Sequence, residues 1–166
     1  MKKIAIIILN WNGKKDTLEC LSSLRELSTN NYKISTIMVD NASKDGSVES
    51  VKKEFPEVAI LVNSQNLGFA EGNNVGIRHA LKKSANFIVI LNNDTILEKN
   101  CLKNLAHTAE SNNSIGIVGP KIYFAPKYEF HKERYKEEER GKVIWYAGGI
   151  IDWNNILCSH HGVDKI

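Results

Sequence analysis

Residues 3–9 (KIAIIIL) form a strand-like run, apolar without a break from Ile4 to Leu9 and dominated by β-branched side chains. As a strand it has no face to offer water, so it belongs inside a parallel sheet covered on both sides. A turn at 10–13 follows, then a segment at 14–27 in which Leu18, Leu21, Leu24 and Leu27, with Cys20, line one side of a helix. The cycle repeats. Strands are expected at 34–39, 58–62, 87–91 and 115–118, and helices at 47–55, stopped by Pro56, and at 70–83 and 97–110, with polar turns at 41–46 and 63–69. Parallel neighbours need crossover connections, so the expected fold class is α/β, a mostly parallel sheet with helices on both faces.

With 166 residues, 42% hydrophobic and 25% charged, the chain has the balance of one ordinary globular domain, expected to span 1–166. Its net charge of +3 is spread along the sequence rather than gathered into a basic stripe, so nucleic acid is not an expected partner. The longest apolar run is far below the ~20 residues of a membrane span, and no signal-type cleavage site follows it. A cytoplasmic protein is expected. Cys20, Cys101 and Cys158 are widely spaced and odd in number, which suggests neither a disulfide framework nor a zinc site. Residues 127–142 carry six Lys or Arg and five Glu, the pattern of an exposed loop or solvated helix. Residues 145–153 (WYAGGIIDW) read as strand, Gly-Gly turn and strand.

In open parallel sheets, ligands bind beyond the carboxyl ends of the strands. Those ends are polar here: Asn10, Trp11 and Asn12; Asp40, Asn41 and Ser43; Asn63, Gln65 and Asn66; Asn92, Asn93 and Asp94. Turn chemistry accounts for any single Asn, but four such ends on one sheet edge suit a ligand with many polar groups, such as a nucleotide. Neither G-x-G-x-x-G nor G-x-x-x-x-G-K-[ST] is present, which argues against a dehydrogenase and a P-loop NTPase. Bound phosphates would then need a divalent cation, and Asp94 is the lone carboxylate of LNNDT.

VDNASKDGS (39–47), NLGFAEGNNVGI (66–77) and LNNDT (91–95), in that order after IIILNWNG, resemble family 2 glycosyltransferases of the GT-A type. The likeness extends from Lys3 to about Asp164 and is greatest to the rhamnosyltransferase-like branch that builds bacterial cell-surface polysaccharides. The resemblance implies a UDP- or dTDP-sugar donor, a glycan or lipid-linked acceptor, and Mn²⁺ or Mg²⁺. It places Asp40 against the N–H of the base and the backbone around Leu9 and Trp11, with Asn10, beside the nucleoside. Asn66 and Asn74 would shape the donor pocket. LNNDT takes the place of the family's D-x-D motif, with Asn92 for the first Asp, Asn93 beside it, and Asp94 on the metal.

An inverting transferase needs a carboxylate to deprotonate the acceptor, and the family's later acidic motif is not found, Asp152 and Asp164 lying too early. The chain is therefore expected to stop short of a complete active site. Peripheral membrane association of a longer protein and self-association through 145–153 belong to the same expectation. His160, His161 and Asp164 are read as a surface turn, since adjacent histidines on a strand face opposite ways. A sugar-nucleotide pyrophosphorylase is disfavoured by the single Gly in NWNGKKD, and a non-catalytic nucleotide-sugar-binding module is the alternative.

Overall fold

Strand β1 (Lys2–Asn10) takes the apolar run to the middle of an all-parallel sheet of order β3-β2-β1-β4, between β2 (Tyr32–Asp40) and β4 (Phe87–Asn92), with β3 (Ala59–Val62) beyond β2. The computed structural model describes residues 1–28 and 31–166. Where sequence suggests one domain, the chain divides into two compact units, 1–107 and 108–166.

In the first unit the two faces of β1 feed two separate cores. Ile4, Ile6 and Ile8 pack with Cys20 and Leu21 of α1 (Lys14–Arg25), Val51 of α2 (Ser47–Glu54) and Leu102 and Ala106 of α4 (Cys101–Glu110). Ala5 and Ile7 pack on the other side with Ile37, Val39 and Ala80 of α3 (Gly68–Lys82). Each of these isoleucines is at most 3% exposed, and full burial contributes about 1.5–3 kcal/mol per side chain. The strand pattern and the helix stripe therefore specify each other.

Two glycines set how closely α3 lies on the sheet. A Cβ on Gly76 would stand 2.6 Å from Ile7 Cγ2, and one on Gly72 would stand 2.5 Å from Leu9 Cδ1. At both places the absence of a side chain lets the helix approach the strand.

The second unit is built differently. Its β5 (Ile122–Tyr123) and β6 (Ile144–Tyr146) form one antiparallel pair, and β7 (Gly149–Asp152) and β8 (Leu157–His160) form another. The strand expected at 115–118 does not form, and Ile117 is 93% exposed. Gly116 and the Gly119-Pro120 stop leave too short a run to hold a ladder. Nor does the Gly-Gly pair fold 145–153 into a hairpin. Gly148, at φ +120°, separates β6 from β7, and the hairpin turn comes at 153–156, where the Asp152 carboxylate accepts from the backbone N–H groups of Asn154 and Asn155.

The charged stretch at 127–142 is mostly exposed, with single 3-10 turns at Lys132–Arg134 and Glu137–Glu139. It is more anchored than its composition implies. Glu129 is 1% exposed and its Oε1 accepts from the Gly141 N–H at 2.8 Å. Burial pushes the Glu129 carboxyl up, but the backbone N–H groups of Glu129, Gly141 and Lys127 and the Arg140 charge outweigh it and hold it below the usual range.

Candidate functional site

At the carboxyl edge of the first unit's sheet, β1 and β2 end in register, Asn10 beside Asp40. Both side chains are fully buried. The Asn10 amide donates to Asp40 Oδ1 at 2.7 Å and to the hydroxyls of Ser43 and Ser47 at 3.0 Å. Asp40 Oδ2 accepts from the Ser43 N–H at 2.9 Å. Asp40, which the family resemblance places against a base, thus has both oxygens engaged by the protein and shapes the turn from within.

The loops after β1 and β2 are tied together at three further points. The Asn12 N–H donates to Ser43 Oγ, the Lys44 N–H to Asn12 Oδ1, and the Lys14 N–H to Asp45 Oδ2 at 2.8 Å. Asn12 itself is at φ +52°, a left-handed conformation that Asn tolerates better than most residues. Around Asp45 burial raises the carboxyl, but the Ser47 hydroxyl and the N–H groups of Lys14 and Ser47 prevail and lower it.

A second cluster surrounds Asn41. Its Nδ2 donates to Asn66 Oδ1 at 3.0 Å and to the Gly68 carbonyl at 3.1 Å, and its Oδ1 accepts from Asn63 at 2.8 Å. The loop after β3 and the start of α3 are held to the end of β2 in this way. Asn66 and Asn74 are both exposed, and Asn74 donates to Glu71 of its own helix at 3.2 Å. Asn73, one position earlier, is 2% exposed and donates to the Phe69 carbonyl, leaving its Oδ1 without a partner. Leu9 is half-buried against Gly72, while Trp11 stands 59% exposed.

At the end of β4, Asn92 and Asp94 are exposed while Asn93 turns inward. Its amide donates to Thr17 Oγ1 at 3.0 Å and lies 3.5 Å from Asn10 Oδ1. Thr17, on α1 and fully buried, donates in turn to Asn10 Oδ1 at 2.8 Å. Among the described residues no group of three or more His, Cys, Asp or Glu side chains could hold a metal alone. Asp94 nevertheless suits a hard cation that takes one carboxylate and completes its shell with phosphate oxygens and water, a common arrangement for Mg²⁺.

Apart from half-buried Leu9, the candidate residues fall into three sets. Asn10, Asp40 and Asn93 join one buried network; Asn66 lies in the adjoining Asn41 cluster; Trp11, Asn74, Asn92 and Asp94 face outward. Thr17, Ser47 and Asn73 were not among the sequence candidates. Thr17 had a legible signal, because 17, 20, 21 and 24 are the positions of the face that α1 turns inward.

An open parallel α/β sheet with its polar groups gathered at the carboxyl ends of the strands is the arrangement of a ligand-binding α/β fold. The chain belongs to glycosyl transferase family 2, whose family model matches residues 5–162. It is 27% identical over 132 residues to an uncharacterized glycosyltransferase of Haemophilus influenzae, covering 80% of this chain and 42% of that protein. It is 26% identical over 128 residues to the dTDP-rhamnosyl transferase RfbF of Shigella flexneri, covering 77% and 41%. The chain therefore spans about two-fifths of the length of these relatives. Among solved structures, a mannosyltransferase of Pyrobaculum calidifontis in complex with GDP-Man and Mn²⁺ superposes with a TM-score of 0.57 at 20% identity, over 72% of this chain and 33% of that one. TarS 1-349 of S. aureus in complex with UDP-GlcNAc gives 0.57 at 20% identity, over 78% and 40%. These similarities establish the fold.

Proposed function

We propose that this chain is the donor-binding part of an enzyme that transfers a hexosyl group, with inversion, from a UDP- or dTDP-sugar to a glycan or lipid-linked acceptor of a cell-surface polysaccharide. The observation that carries the reading is the convergence of the loops after β1, β2 and β4, with Asp94 and Asn92 exposed at its rim and Asn93 pinned beneath them. The relative named as a dTDP-rhamnosyl transferase and the fold neighbours bound to GDP-Man or UDP-GlcNAc support a sugar-nucleotide donor.

In this reading Asp94 holds Mn²⁺ or Mg²⁺. When bound, such an ion stabilises the negative charge that develops on the leaving diphosphate. The protein's own part is positioning. The Asn41 cluster fixes the entrance of α3, the Asn10–Asp40 pair fixes the two nucleoside-side turns, and Trp11 offers an exposed ring to the ligand. Both carboxylates considered as a base already have partners within the second unit. Asp152 caps its hairpin through Asn155 and the N–H groups of Asn155 and Asn154, which lower its carboxyl. Asp164 lies 3.6 Å from His131 and 3.9 Å from Arg134.

The reading is tested by titrating UDP, dTDP, GDP and CDP into the chain by calorimetry, with Mn²⁺ and with EDTA. Tighter binding of UDP or dTDP in Mn²⁺ is expected. Equal and weak heats for all four nucleotides in both buffers would overturn it.

A further inference from the structure

We infer that Thr17, a residue of helix α1 with no access to solvent, is a positioning residue for the Asp94 loop. The inference rests on the proposed role of that loop in holding a divalent cation and a diphosphate.

Three hydrogen bonds run in one direction through it. The Asn93 amide donates to Thr17 Oγ1 at 3.0 Å, the Thr17 hydroxyl donates to Asn10 Oδ1 at 2.8 Å, and the Asn10 amide donates to Asp40 Oδ1 at 2.7 Å. Every donor points towards the one carboxylate at the end of the chain, so each bond polarises the next. The relay links the ends of β4, β1 and β2 through a helix that is itself seated in the core by Cys20 and Leu21. Asn93 has one inward anchor of good length; its contact with Asn10 is at the 3.5 Å limit. Space supports the same picture. A Cβ on Gly13 would stand 2.4 Å from Asn93 Nδ2, so the first turn after β1 is cut away where that amide passes.

Asn92 ends β4, and Asn93 and Asp94 form the turn that follows it, with Asn93 half-buried and Asn92 and Asp94 exposed. Anchoring Asn93 therefore holds the turn that carries Asp94. Without the Thr17 hydroxyl, Asn93 loses that anchor and the rim carboxylate loses its fixed aim. Partners that orient a metal ligand typically account for about 10–100-fold in metal affinity.

The test compares Thr17→Val, which keeps the shape and removes the hydroxyl, with Thr17→Ser, which restores it. Amide hydrogen exchange is read first, since it needs no ligand. Thr17→Val is expected to speed exchange at 92–95 by roughly tenfold while protection in β1 holds, with Thr17→Ser returning to wild type. Unchanged exchange at 92–95, or an increase shared equally by β1, would overturn the inference. UDP is then titrated with Mn²⁺ and with EDTA. Thr17→Val is expected to lose roughly tenfold of the Mn²⁺-dependent part only, and a loss of the same size in EDTA would also overturn it. Should the wild type show no Mn²⁺-dependent binding, the metal reading fails and hydrogen exchange alone decides the role of Thr17.

Discussion

Asn10 and Asp40, 30 residues apart in the chain and side by side at the ends of two parallel strands, share a 2.7 Å hydrogen bond wholly shielded from water. A buried carboxylate with every oxygen satisfied is as much a part of the framework as an isoleucine. Asp40→Ala leaves the Asn10 amide and the Ser43 N–H short of an acceptor, at a cost of about 1–3 kcal/mol. Urea unfolding is expected to show a lower midpoint at constant slope. A midpoint equal to wild type would show that Asp40 matters only to a ligand.

Asp94 carries the opposite expectation. It is exposed and no hydrogen bond or ion pair holds it among the described residues, so Asp94→Ala is expected to leave the unfolding midpoint within about 0.5 kcal/mol of wild type. The gain in UDP or dTDP affinity on adding Mn²⁺ is expected to vanish. Retention of that gain in the variant would remove Asp94 from the metal site.

Gly76 and Gly72 separate two kinds of close approach. At Gly76 an added methyl meets Ile7 Cγ2, on a β-branched side chain with no room to turn, whereas at Gly72 it meets the far end of Leu9. Gly76→Ala is expected to destabilise by about 1–3 kcal/mol despite the better helix propensity of Ala, and Gly72→Ala by less. Thermal melts of the two variants in parallel check the ordering, and the reverse order would mean that α3 shifts more readily than the strand.

Much of this was legible in the sequence. Residues 3–9, the Leu stripes and the stops at Pro56 and after Val62 place four strands and four helices to within about four residues, because parallel strands announce themselves by continuous burial. What the sequence concealed was direction. Asp40 and Asp94 both follow a strand, and nothing in composition says that one points into the sheet edge and the other away from it. That depends on the register of β1 with β2 and on the crowding at Gly13. The second unit was harder for a different reason. Its strands are two to four residues long, too short for periodicity, and the turn that mattered was at 153–156, capped by Asp152, rather than the glycine pair.

Cys20 gives a pH prediction. Burial raises its thiol to about 11, against hydrogen bonds from Thr95 that lower it, with the Asp94 charge adding to the rise. Below pH 9 the folded and unfolded chains both keep the proton and the group has no effect on the balance. Between pH 9 and about 11 the unfolded chain releases it first, so stability falls with rising pH, by on the order of 2 kcal/mol in all. Denaturation midpoints of wild type and Cys20→Ala over this range are expected to converge as pH rises. At pH 8 a thiol reagent is expected to modify the exposed Cys158 and spare the buried Cys20; equal labelling of both would contradict the packing.

Glu129 behaves with the opposite sign. Its carboxyl is lowered on folding, so its contribution is present above the ordinary glutamate range and is lost as the pH falls through the folded value. Trypsin cleavage within 127–142 is expected to be slow at pH 8 in the wild type and faster in Glu129→Ala. Equal cleavage rates would mean that the bond to Gly141 does not hold this stretch.

The order β3-β2-β1-β4 also governs how the chain comes off the ribosome. The partner that closes one edge of β1 follows 30 residues later, but on the other side Lys3 must wait for Asn86, 83 residues on. At about 5–20 residues per second, that is roughly 4–17 s during which KIAIIIL is synthesised and at most half paired. An apolar strand with an open edge is a template for other nascent chains. Soluble yield is thus a kinetic property of the strand order, separable from the stability of the finished sheet.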